Sequence, residues 1–324
     1  MEGVSFKRKN GRAMLNALVT GGAGFLGSHL SRLLLDQGHA VVVLDDLSTG
    51  SFANLPDHPR LTKVKGDVAQ GWEGKVDRIY HLACPASPPK YQIDPVKTLD
   101  TNYQGTRSML ELALRNNARL LLTSTSEVYG DPQVSPQAET YWGNVNTFGP
   151  RSCYDEGKRV AESLCYAYSR SRQADVRVAR IFNTYGPFMA PDDGRVVTNF
   201  ISQALEAKPI TIYGSGSQTR SLCYVDDLVR GLSLLMESSN PPVDAPVNLG
   251  NPNEMTIRQI AELVLELTGS NSSLVECPLP QDDPKQRCPD ISRAYEWLGW
   301  RPTVSARDGI KRTCDYFESA LRLS

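Results

Sequence analysis

Apolar residues along the chain fall into two rhythms. Short, nearly unbroken runs end at Leu18-Val-Thr20 and recur at His39-Ala-Val-Val-Val-Leu-Asp45, Leu61-Thr-Lys-Val-Lys-Gly-Asp67-Val68, Arg78-Ile-Tyr-His-Leu-Ala-Cys84 and Arg119-Leu-Leu-Leu-Thr-Ser-Thr125. Runs of this length, bounded by turn residues, predict buried strands. Between the last two, Leu99, Tyr103, Met109, Leu110, Leu112 and Ala113 repeat at helical spacing and predict a helix over 98–116; a second long helix is predicted over 154–169. Strands separated by helical spacers imply right-handed βαβ units and a parallel sheet. The fourth run stops at Pro85-Ala-Ser-Pro-Pro89, because proline ends both helix and sheet. Ligands bind beyond the carboxyl ends of parallel strands, so residues 83–90 are expected at the rim of a site.

The turn after the first run changes the picture most. Gly21, Gly24 and Gly27 give G-x-x-G-x-x-G, and Gly22, Gly24 and Gly27 also give G-x-G-x-x-G, opening a helix at Phe25 and Leu26. Such a turn lets a pyrophosphate approach the backbone and lie on the helix N-terminus. Asp45 follows Gly27 at the distance expected of the acid that holds an adenosine ribose, and with Asp46 beside it a 2′-phosphate would be repelled. The expected cofactor is therefore NAD. Asp67 and Val68 fall where they would meet the adenine, and Ser48 lies in the turn after the acids. The fold class implied is α/β, a Rossmann-type doubly wound parallel sheet.

Polar residues at the carboxyl end of the fifth strand, Thr125, Ser126 and Glu127, are candidates for chemistry, and Tyr154 and Lys158 lie one turn apart on one helix face. Other features narrow the class. Basic and acidic residues number 35 and 36, so no basic face for nucleic acid is implied. Seven cysteines with no C-x-x-C pair suggest neither a disulfide framework nor a zinc site and fit a reducing, cytoplasmic compartment. His29 and His81 read as structural, with no metal-ligand spacing. No run reaches 18 apolar residues, so no membrane span is expected. Residues 1–13 are polar and basic and read as a disordered leader ahead of Met14.

The glycine run, Asp45, Thr125 and Tyr154-x-x-x-Lys158 together resemble the extended short-chain dehydrogenase/reductase family. More narrowly, His81-Leu-Ala-Cys-Pro-Ala-Ser-Pro-Pro89, Thr123-Ser-Thr-Ser-Glu-Val-Tyr-Gly-Asp131, Arg151-Ser-Cys-Tyr-Asp-Glu-Gly-Lys-Arg159, Ala179-Arg-Ile-Phe-Asn-Thr-Tyr-Gly-Pro187, Gly216-Ser-Gln-Thr-Arg220 and Asp282-Asp-Pro-Lys285 are similar to the UDP-glucuronic acid decarboxylase family, over about residues 15–315. Two positions depart from that pattern. Asp46 stands where Asn is usual, and Asp100 stands where Lys commonly precedes Thr101-Asn102, a contact that Lys97 could take over.

The resemblance implies an NAD-binding domain over 14–186 and 222–251, interleaved with a smaller nucleotide-sugar-binding domain over 187–221 and 252–324. It implies Leu82 and Ala83 at the cofactor and Pro85 and Ser87 at the substrate. Asn183 and Arg195 would meet diphosphate and uridine, and Tyr213 and Arg287 would close over the nucleotide. Arg220 would lie near the sugar carboxylate. Tyr154 would act as general base at the C4 hydroxyl, its phenol acidified by Lys158 and by the nicotinamide cation, with Thr125 sharing the hydrogen bond and Glu127 managing a proton or water near C5. The implied reaction takes UDP-glucuronate to UDP-xylose, needs no metal, and occurs in a homodimer built on the helices 98–116 and 154–169. A Golgi-anchored longer form is left open. Rival readings are a nucleotide-sugar 4,6-dehydratase or 4-epimerase on the same scaffold, and, from another class, a catalytically silent NAD-binding sensor. Dehydratases carry Asp-Glu after the Thr where this chain has Ser126-Glu127.

Overall fold

The computed structural model describes residues 14–239, 245–278 and 286–322. The leader 1–13 and the Asp282-Asp-Pro-Lys285 stretch lie outside them. The predicted runs are all strands: β1 (Asn16–Thr20), β2 (Ala40–Asp45), β3 (Leu61–Lys65), β4 (Arg78–His81) and β5 (Arg119–Thr125). Two more, β6 (Val176–Ile181) and Val247–Leu249, complete a seven-stranded sheet in the order Val247–Leu249, β6, β5, β4, β1, β2, β3. Every pairing within it is parallel.

Alternation along β1 shows why both faces must be covered. Val19 packs on one face with Leu30, Leu34 and Val43, beneath the helices Phe25–Asp36 and Val225–Glu237. Leu18 packs on the other with Ile79, Met109, Leu110 and Ala161, beneath the helices Thr106–Asn116 and Ser152–Arg172. Strand order reverses between β1 and β4, and that crevice is where an open α/β sheet receives its ligand.

Three departures from the sequence reading have physical causes. The helix over 98–116 begins earlier, at Pro95, where Asp94 caps it by accepting from the Lys97 amide, and it passes through a π-helical segment at Thr101–Gly105. Its widened turn shifts side chains off a 3.6-residue period, which no apolar spacing reveals. The third strand ends at Lys65, because Asp67 turns its carboxylate onto the Ala69 amide and starts a short 3-10 turn. The stretch after Leu222 reaches the main sheet only at Val247–Leu249. Cys223–Tyr224 pairs instead with Thr184–Tyr185 in a separate ribbon.

Later segments form small sheets against this frame: Ile210–Tyr213 with Leu274–Cys277, and Thr219–Ser221 with Glu254–Thr256. They face the carboxyl ends of the large sheet across one cleft of about 1240 Å3.

Candidate active site

Apart from Gly22 of the glycine run, every residue singled out from the sequence as catalytic, cofactor-binding or substrate-binding lines that cleft. Its volume exceeds the ~300–1,000 Å3 usual for a single ligand and suits a dinucleotide beside a nucleotide sugar.

At the cofactor end, Gly21 has φ +67, and a side chain there would lie 2.9 Å from the Ala83 backbone. A Cβ on Gly27 would lie 2.2 Å from the Gly21 carbonyl oxygen. Glycine is therefore required where the turn closes on the first helix. That helix opens at Gly24 with no side-chain cap, leaving its first amides directed into the cleft for a phosphate. Asp45 is buried. Its Oδ2 accepts from the Ala23 amide at 2.9 Å and its Oδ1 from the Leu47 amide at 2.8 Å, so the carboxylate also fastens the glycine turn. Burial pushes its carboxyl above the ordinary range, against the pull of those two amides. Burial also opposes charge on Asp46, but the Lys97 ammonium at 2.6 Å and Ser48 outweigh it and hold Asp46 below its usual value. Lys97 is thus committed to Asp46. Asp100 accepts from Gln104 at 2.8 Å and does not line the cleft.

The cradle fits NAD; if Asp45 meets the adenosine ribose as the glycine-acid spacing implies, with Lys97 held by Asp46, a further negative group there is disfavoured. NAD is expected to bind at least ~tenfold more tightly than NADP, about 1.4 kcal/mol. Titration calorimetry with both dinucleotides checks this, and equal affinities would show that neither acid faces the ribose.

The β4 end is held by a buried relay. Thr20 Oγ1 accepts from the Leu82 and Ala83 amides, both at 3.2 Å, so its hydroxyl hydrogen is free for His81 Nδ1 at 2.8 Å. Nε2 then donates to Thr106 Oγ1 at 3.1 Å. Burial lowers the His81 pKa to about 3, and the ring is neutral. His29 contacts the Pro187 carbonyl at 2.9 Å. Both histidines are structural, and among the described residues no group of three or more His, Cys, Asp or Glu could hold a metal.

In the middle of the cleft Tyr154 and Lys158 rise from the first turns of Ser152–Arg172, both buried. Thr125 lies close enough to the Tyr154 hydroxyl to favour its ionised form. Its ring stacks on Tyr91 with centroids 4.9 Å apart and planes 2° from parallel. Lys158 Nζ donates to the Thr123 carbonyl at 3.0 Å and lies 5.9 Å from the Tyr154 ring centroid. The sequence reading expected an acidified phenol. In the protein alone burial dominates and raises the Tyr154 pKa, with Cys84 adding to it and Thr125 opposing, while burial lowers that of Lys158. With Lys158 turned to a carbonyl, the protein by itself does not acidify Tyr154.

The cleft's far wall holds a cluster of charges. Thr125 Oγ1 accepts from the Glu127 amide at 3.2 Å, fixing the turn Ser126–Tyr129. Glu127 is gripped by Arg287 through both guanidinium nitrogens and by Arg151 at 2.7 Å. Arg287 also donates to Ser126 Oγ at 2.9 Å. Burial opposes the Glu127 charge, yet the two arginines prevail and hold its carboxyl below the ordinary value. Arg287, expected over the nucleotide, thus sits on Glu127. Arg220, expected near the sugar carboxylate, turns Nη1 to the Thr219 carbonyl at 2.8 Å.

Arg195 pairs with Asp193 and stands 5.9 Å over the Phe25 ring. Asn183 accepts the Cys223 amide on its carbonyl at 2.9 Å, Ser87 is buried, and Tyr213 is exposed at the mouth. Tyr91 and Arg151 were missed as site residues. Arg151 lies inside the motif quoted for the Tyr154 helix, and Tyr91 follows the proline run by two positions, so proximity to those motifs was the available signal.

Residues 17–250 match the family model described as the NAD dependent epimerase/dehydratase family. A UDP-glucuronic acid decarboxylase 1 of Xenopus tropicalis is 54% identical over 94% of this chain and 72% of its own length. UDP-glucuronic acid decarboxylase 6 of Arabidopsis thaliana is 54% identical over 91% of this chain and 87% of its own. Among solved structures, a UDP-glucose 4-epimerase with UDP-glucose from Thermotoga maritima superposes with TM-score 0.86 at 30% identity, covering 94% of this chain and 99% of that one. A dTDP-glucose 4,6-dehydratase from Streptomyces venezuelae with NAD bound gives 0.86 at 30%, covering 95% and 98%.

Proposed function

The chain belongs to the NAD dependent epimerase/dehydratase family, and within it to the UDP-glucuronic acid decarboxylases; on that premise we propose that it converts UDP-glucuronate to UDP-xylose and CO2. The observation that carries this reading is the pairing of Arg287 and Arg151 around Glu127 and Ser126, beside Thr125 and Tyr154 in the same cleft. Two guanidinium groups at one end of the cleft suit the planar carboxylate of a uronic acid. A neutral hexose offers them hydroxyls but no charge to pair with.

NAD, held by the Gly21–Gly27 turn and Asp45, supplies the hydride acceptor and donor and a cationic ring. Tyr154 takes the C4 hydroxyl proton as the C4 hydrogen departs, with Thr125 holding the same oxygen. Because burial raises the phenol, this transfer depends on the positive charge the bound cofactor brings. The C4 ketone makes the C5 carboxylate a β-keto acid. Loss of CO2 leaves an enolate on the C4 oxygen, where the Tyr154 hydroxyl and Thr125 stabilise it. Glu127, ionised between its arginines, positions a water or relays a proton to C5, and reduction at C4 completes UDP-xylose.

On the nucleotide side, Asn183, Arg195 and Tyr213 are read as handles for diphosphate and uridine, carried partly on the smaller unit 187–221 and 252–324. Arg220 is a further handle. A homodimer is read from the outer faces of 95–116 and Ser152–Arg172, which leave Val96, Leu99, Tyr103 and Tyr166 exposed. No described helix is long and apolar enough to cross a membrane. Incubation with UDP-glucuronate and NAD, followed by mass spectrometry, tests the assignment. UDP-xylose and CO2 are expected; a 4-epimer of UDP-glucuronate, or a 4-keto-6-deoxy product when a neutral nucleotide hexose is supplied instead, would replace this reading by one of its rivals.

A further inference from the structure

One buried acid behind the carboxylate end takes no part in the steps above. Asp155 follows Tyr154 on the long helix but does not line the cleft. It is 6% exposed, and its Oδ1 has no hydrogen-bond partner. Within electrostatic reach of it are Glu127 from the turn after β5, Arg287 from the segment after 285, Tyr91 and Cys153, and from its own helix end Arg151 and Glu156. Tyr91 is itself 1% exposed with its hydroxyl unpartnered. A carboxylate so enclosed, with one oxygen unsolvated and unbonded, is costly unless it keeps its proton.

The charges in contact with the cleft here are Arg151, Arg287 and Glu127, two positive and one negative. We propose that Asp155 is a positioning residue that sets the charge of the carboxylate pocket. Protonated, it leaves one net positive charge for the carboxylate of UDP-glucuronate; ionised, it cancels that charge. It therefore controls affinity for the acidic sugar, and only for that sugar, through pH. This rests on the reading of Arg287 and Arg151 as carboxylate handles.

The direction follows from the surroundings. Burial and the Glu127 charge push the Asp155 carboxyl up to about 7, against the opposing pull of Arg151 and Arg287. Below that value the acid is neutral and the pocket is cationic. Above it the pocket is neutral, and binding of a sugar carboxylate should weaken by up to ~tenfold per pH unit, the limit for one proton.

The test measures KM for UDP-glucuronate and the inhibition constant of UDP-xylose from pH 6 to 8.5, in the NAD-loaded wild type and in Asp155→Asn. UDP-xylose carries the same nucleotide without the carboxylate. Wild-type KM should rise about tenfold or more above pH 7 while the UDP-xylose constant stays flat. Asp155→Asn should keep the low-pH KM throughout. A flat wild-type KM, or the same rise in Asp155→Asn, would overturn the proposal.

Should Asp155→Asn not fold, calorimetry on NAD-loaded Tyr154→Phe, in two buffers of different ionisation enthalpy at pH 7.5, gives the same decision. Proton uptake is predicted with UDP-glucuronate and none with UDP-xylose; equal uptake for both contradicts it. If the assigned reaction itself were wrong, UDP-glucuronate would yield no UDP-xylose at any pH, a different outcome from a flat profile.

Discussion

Tyr154→Phe is expected to slow turnover of UDP-glucuronate by at least ~100-fold, the low end for losing a general base, with nucleotide-sugar affinity little changed. The substitution keeps the ring, so the stack on Tyr91 and the packing with Cys153 survive. What it removes is the hydroxyl that lies near Thr125 and would meet the C4 oxygen. Steady-state kinetics beside inhibition by UDP-xylose separate the two effects. Retention of more than a tenth of the activity would show that the proton leaves by another route.

Arg287→Met is the second large effect. The side chain is buried, bonds both Glu127 oxygens and Ser126, and is the group expected to pass to the substrate carboxylate. Truncating one partner of a buried hydrogen-bonded charge pair costs ~2–5 kcal/mol, much of it from the charge left behind. kcat/KM for UDP-glucuronate should therefore fall at least ~100-fold, since each 1.4 kcal/mol is about tenfold. The inhibition constant of UDP-xylose should change by less than ~threefold, because that sugar has no carboxylate to lose. Equal losses for both would place Arg287 at the nucleotide, where the family resemblance had put it.

That contrast marks where sequence reading stops. The β1 run, the Gly21–Gly27 turn and the β2 acid are legible because strand, turn and helix are neighbours in the chain, and each constrains the next. Tyr154 and Lys158 are legible because helical spacing alone puts them on one face. Arg287 reaches Glu127 across 160 positions, from a segment with no periodicity to announce its direction. Asp155 is similar. Its identity is visible beside Tyr154, but the charges that act on it, Glu127 and Arg287, arrive from other elements. Val247–Leu249 joins the sheet edge as a three-residue strand, too short for an apolar pattern to stand out. The π segment at Thr101–Gly105 is hidden because its local composition is that of any helix.

The two departures from the family pattern also acquire a structural account. Asp46 takes Lys97 as its partner in the cleft, and Asp100 accepts from Gln104 outside it. Neither reaches Tyr154, Thr125 or Glu127. Hydride chemistry at C4 and proton chemistry at C5 are therefore expected to proceed with the residues described.

The most direct test of that chemistry is turnover of UDP-glucuronate in heavy water, with the product read by NMR. Decarboxylation through an enolate requires a new hydrogen at C5, and a proton delivered through Glu127 or its water exchanges with solvent. The C4 hydrogen leaves and returns as hydride, which does not exchange. The account predicts UDP-xylose carrying one deuterium at C5 and the substrate's own hydrogen at C4. Solvent deuterium at C4, or none at C5, would contradict it.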